Sequence, residues 1–127
     1  PVSRRDVLLG TLAGGFALAV QPVAASTIAT PADGLLAGMV EIPAADRAIP
    51  AYRAMPAAGE RVPVVLVVQE IFGLHEYIRD VCRRFARAGY CAIAPDMYVR
   101  QGDVTQLPDI ASIQSQVVSK VPDAQVM

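Results

Sequence analysis

Five consecutive aliphatic residues, Val64-Val65-Leu66-Val67-Val68, constrain this chain more than any other feature. A run of strand length with no polar alternation predicts a strand covered on both faces, as in the centre of a parallel sheet. The next thirty residues complete a unit around it. Glu76 to Ala88 places Ile78, Val81, Cys82, Phe85 and Ala86 on one helical face, with Arg79, Arg83, Arg84 and Arg87 on the others. Gly89 is the expected helix stop, and Arg87 suits the negative end of the helix dipole. Tyr90 to Ala94 then reads as a second buried strand, closed by Pro95-Asp96. Strand, helix and strand with short links make a βαβ unit, so the fold class is α/β.

Upstream, Leu36–Ile42 and Ile49–Met55 are candidate strands joined through Ala44–Arg47, and Pro50 predicts that the second is an edge strand. Downstream, Ile110, Ile113, Val117 and Val121 are spaced as one helical stripe over 109–121, with Asp109 as its cap.

The first 25 residues have the three parts of an export leader. Ser3-Arg4-Arg5-Asp6-Val7-Leu8-Leu9 sets an arginine pair before an apolar stretch running to Val20. Val23 and Ala25 then supply the small side chains that a signal peptidase needs. The stretch is shorter than the ~20 residues a bilayer demands, so no stable membrane span is expected. The arginine pair resembles the twin-arginine signal, which implies the export machinery as a partner and a periplasmic or secreted protein after cleavage. Residues 26–34 read as a linker and residues 35–127 as the domain proper. With 11 Lys and Arg against 12 Asp and Glu, the basic excess that dominates nucleic-acid binding is missing.

In parallel sheets ligands sit beyond the carboxyl ends of the strands, and two acids fall there, Glu70 and Asp96. An acid after proline at a strand end usually closes a turn, which is the reading for Asp96. Glu70, at the rim of five aliphatics, must be paired or used in chemistry.

Gln69-Glu70-Ile71-Phe72-Gly73-Leu74, Tyr77-Ile78-Arg79-Asp80-Val81, Ala88-Gly89-Tyr90 and Ala94-Pro95-Asp96-Met97-Tyr98, followed by Arg100-Gln101-Gly102-Asp103, carry a resemblance. In this order and at this separation they resemble the dienelactone hydrolase family of α/β-hydrolases. The resemblance implies a mostly parallel sheet with helices on both faces, of which only the N-terminal part is present. It also implies a Cys-His-Asp hydrolase of enol lactones and related esters, needing neither metal nor organic cofactor. On this resemblance Glu70 would take the role of the glutamate that meets and helps activate the nucleophilic cysteine, and the backbone N–H of Ile71 would supply half of an oxyanion hole. That donor stabilises charge that exists only in the tetrahedral intermediate.

The departures are large. The family's nucleophile stands later, in a Gly-x-Cys-x-Gly elbow that this chain lacks, and its acid and base stand later still. Cys82 and Cys91 lack flanking glycines and read as unbridged core thiols. His75, the single histidine, reads first as a loop or capping residue, then as a substrate neighbour, and last as the triad base. Tyr98 and Arg100 cannot be matched to the family's substrate-binding residues. Two classes therefore stand: an exported lactone or ester hydrolase for a longer parent protein, and a non-catalytic fragment or small binding module for this polypeptide alone.

Overall fold

The computed structural model describes residues 29–126; the expected leader lies outside them. Strands β1 (Leu35–Pro43) and β2 (Ala48–Pro56) form the expected antiparallel hairpin. Strand β3 (Val64–Leu66), helix α1 (Glu76–Arg87) and strand β4 (Cys91–Pro95) form the βαβ unit, with β3 and β4 parallel. β4 also pairs antiparallel with β2, giving one mixed sheet in the order β1-β2-β4-β3. Two short helices, α2 (Ile110–Gln116) and α3 (Asp123–Val126), come after the sheet, with single 3-10 turns at Val104–Gln106 and Val118–Lys120.

Helix α1 ends as a full Schellman motif. The Gly89 N–H donates to Ala86, the Tyr90 N–H donates to Phe85, and Gly89 takes φ of 95°, which favours glycine. The Phe85 and Tyr90 rings meet edge to face at 6.1 Å, the apolar contact that accompanies this stop.

The core lies between α1 and one face of the sheet. Ile78, Cys82 and Ala86 pack against Tyr52, Ala54, Ala92, Ala94 and Val67. Alanines on the two central strands let the helix approach closely, so the layer needs few large side chains.

Three expectations are corrected. β2 is interior, because Pro50 lies one residue beyond the last β2–β4 pair. Its carbonyl still accepts the Asp96 N–H at 2.8 Å, so only the donor half of a terminal pair is lost. β3 is covered on one face only: Val64, Leu66 and Val68 are 69, 62 and 62% exposed. Val65 and Val67 turn to the helix, while the opposite face and the free edge of β3 have no cover among the described residues. The 109–121 stripe breaks at Val117, and Ile110 is exposed while Ile113 and Val117 are buried. Ser119 Oγ bonds to the Ser115 carbonyl at 2.9 Å, one of the side-chain bonds that compete with helix continuation. Asp109 does cap α2, accepting the Ser112 N–H at 2.7 Å.

Both cysteines are free. Cys82 is fully buried, and burial pushes its thiol up to about 11. Cys91 is half-buried and pairs with exposed Val64 on the face away from α1, so the sheet stands between the two sulfurs.

A buried charge cluster was not expected. Arg83, placed on a polar face by periodicity, is buried, as is Asp80. The Arg83 guanidinium donates to the Tyr52 hydroxyl at 3.1 Å and to Glu76, and lies 3.4 Å from Asp80. Asp80 accepts from Arg84 Nε at 2.7 Å and from the backbone N–H of Thr30. Arg87 donates to the carbonyls of Pro31 and Asp33 at 3.0 and 3.4 Å, so α1 holds the arm that precedes β1.

Candidate functional site

The loop from Gln69 to His75 leaves the carboxyl end of β3, and its backbone is folded tightly on itself. The Gly73 N–H donates to Glu70 and the His75 N–H to Gly73, both at 3.0 Å. Gly73 has φ of 75°, and a Cβ there would stand 2.6 Å from Val104 Cγ2, so the glycine is required twice over. Gln69 ties this loop to the one after β4, because its Oε1 accepts the Met97 N–H at 3.1 Å. Two of the segments that carry the resemblance are thus physically joined.

Glu70 points outward with its side chain 50% exposed; it is not the buried rim carboxylate that the aliphatic run suggested. Exposure of one β3 face and the turn at Gly73 remove the burial cost on which that expectation rested. Ile71 turns its side chain toward Val104, Ile113 and Val117, the small second core. The Ile71 N–H makes no hydrogen bond among the described residues. A carboxylate able to accept a proton and a free backbone donor are therefore adjacent in sequence at the end of the parallel pair.

His75 occupies the N-cap position of α1, but its side chain makes no capping bond. Its Nε2 lies 3.6 Å from Glu70 Oε1 instead. A groove of about 370 Å³ opens beside it, lined by Phe72, Leu107, Pro108, Ile110 and Ile113. Sequence reasoning named both residues and missed their meeting, since no spacing rule brings i and i+5 together across a glycine turn.

The other candidates have structural employment. Asp96 Oδ1 accepts the Tyr98 N–H at 2.9 Å, the turn closure expected of it. Arg100 forms a two-pronged pair with Asp46, both contacts 2.7 Å, and this bonding holds the Asp46 carboxyl down to about 2. Neither cysteine supplies a nucleophile at Glu70. Cys82 is sealed in the core, and Cys91 begins β4 beside Val64, at the opposite end of the parallel pair. No group of three or more metal-ligating side chains stands together among the described residues.

Comparison with known proteins identifies the family of the chain. Residues 49–127 match the dienelactone hydrolase family. A protein of Methylorubrum extorquens, named provisionally a carboxymethylenebutenolidase, is 66% identical over 127 residues, covering 99% of this chain and 44% of that protein. One of Escherichia coli with the same provisional name is 49% identical over 118 residues, covering 92% and 44%. The crystal structure of a provisionally named dienelactone hydrolase from Klebsiella pneumoniae superposes with a TM-score of 0.70 at 53% identity, over 72% of this chain and 39% of that one. The chain spans less than half the length of the curated relatives it matches. With its motif segments joined through Gln69 and more than half its residues matched, this chain belongs to the dienelactone hydrolase family.

Proposed function

We propose that the chain is part of an exported hydrolase of enol lactones or related carboxylic esters, acting through a cysteine nucleophile with histidine and aspartate partners that these residues do not supply. The observation that carries this reading is the pairing of an outward carboxylate, Glu70, with the unbonded N–H of Ile71 at the end of β3. A thiol must lose its proton before it attacks, and a carboxylate facing it can accept that proton. The N–H then meets the oxygen that becomes negative.

The test is Glu70→Gln in the full-length protein, which removes the charge and keeps the shape. Turnover on an enol lactone or aryl ester should fall at least about tenfold, equivalent to ~1.4 kcal/mol of barrier, with an unchanged melting temperature. Unchanged turnover removes Glu70 from the mechanism.

Export rests on the arginine pair in the leader. Replacing both Arg4 and Arg5 by Lys keeps the charge and loses the planar guanidinium pattern, so export should slow while the folded protein accumulates inside the cell. Export at the normal rate, measured by fractionation and blotting, would refute a twin-arginine route.

A further inference from the structure

One nitrogen of His75 is left unsatisfied. Its Nε2 is buried and has no hydrogen-bond partner among the described residues, while Glu70 Oε1 stands 3.6 Å away. The ring is held on two sides, edge to face with Phe72 and stacked on Tyr77 at an interplanar angle of 16°, each at a centroid distance of 6.3 Å. Its backbone is fixed at both ends, by the bond to Gly73 and by the Arg79 N–H on its carbonyl. The imidazole therefore cannot turn away without giving up both ring contacts. A buried ring nitrogen that faces a carboxylate is satisfied only as N–H, which selects the tautomer protonated at Nε2. The gap exceeds a normal hydrogen bond by a few tenths of an ångström, within reach of a rotation of the half-exposed Glu70 side chain.

We propose that His75 is the positioning residue for Glu70: its Nε2–H holds the carboxylate in the orientation from which Glu70 accepts the thiol proton. This rests on the role proposed for Glu70 in hydrolysis. The step it serves moves one proton from sulfur to a Glu70 oxygen and leaves a thiolate, and His75 gains and loses nothing. Of the charged groups nearby, Glu76 is engaged by Arg83, and Asp109 lies across the groove with its carboxylate on Ser112. Glu70 is thus the acid free to take the bond.

The experiment compares four variants of the full-length protein by steady-state ester hydrolysis and thermal melting. His75→Phe keeps the stacked ring and removes the donor; His75→Gln restores a donor at the Nε2 position. His75→Phe should lower kcat about fivefold with KM unchanged, and His75→Gln should recover most of that loss. Because His75 acts through Glu70, the double variant of Glu70→Gln with His75→Phe should be no slower than Glu70→Gln alone. Multiplying losses in the double variant, or a His75→Phe rate that falls only in step with its folded fraction, overturns the proposal. If Glu70→Gln slows turnover and His75→Phe does not, the inference fails and the Glu70 reading stands. If Glu70→Gln has no effect, the Glu70 reading fails first and takes this one with it.

Discussion

Asp80→Ala is expected to destabilise the folded protein by about 3 kcal/mol, measured by denaturant unfolding. Asp80 is 1% exposed and serves three partners at once, the Arg83 and Arg84 guanidinium groups and the Thr30 N–H. Removing it leaves a buried positive charge and a backbone donor with reduced compensation. The figure sits at the low end for a broken buried pair because Arg83 retains Tyr52 and Glu76. Burial by itself would raise the carboxyl, yet the bonds from Thr30 and Arg84 outweigh it, and the Asp80 pKa ends below its usual value. This direction sets the sign of the pH dependence. A depressed carboxyl contributes its full stability above the unfolded value of about 3.9, and that contribution is lost as pH falls through the lower folded value. The native protein should therefore lose stability more steeply than Asp80→Asn on acidification below about pH 4. Parallel curves for the two would remove Asp80 from the acid response.

Gly73→Ala should cost about 2 kcal/mol or more and should damage turnover as well as stability. The left-handed backbone penalises any Cβ by roughly 1–2 kcal/mol. Here the added carbon would also stand 2.6 Å from Val104 Cγ2. Val104 is 4% exposed within the second core and, as valine, is stiff at χ1, so it cannot swing aside cheaply. The relief open to the chain is to shift the loop, which moves Glu70, Ile71 and His75 together. Full activity with an unaltered melting temperature would show that the loop has slack that the contact with Val104 denies.

The sequence made legible whatever is decided locally. The β1–β2 hairpin, the Gly89 stop of α1, the Asp109 cap and the Asp96 turn each depend on residues within a few positions, and all four are present. What it hid depends on distant partners. Arg83 reads as a solvated residue until Tyr52, 31 positions away, offers its hydroxyl. Asp80 is buried because Thr30, 50 positions away, lies across it. Five aliphatics in a row cannot say which neighbours will arrive, so the bare face of β3 was beyond periodicity. At the site, the motif pointed to Glu70 and Ile71, and only the folded turn at Gly73 brings His75 to Glu70.

The grip of α1 on the arm from Thr30 to Asp33 has a practical side. The arm is tied at Asp80 and again at Arg87, running along the helix away from the end that carries Glu70 and His75. About 10 Å of helix separates the two ties at the usual rise per residue. A fluorophore carried at exposed Asp33, beside the Arg87 tie at the far end of the helix, would stand clear of the loop where substrate would approach. Its motion would report the grip of Arg87 on the arm.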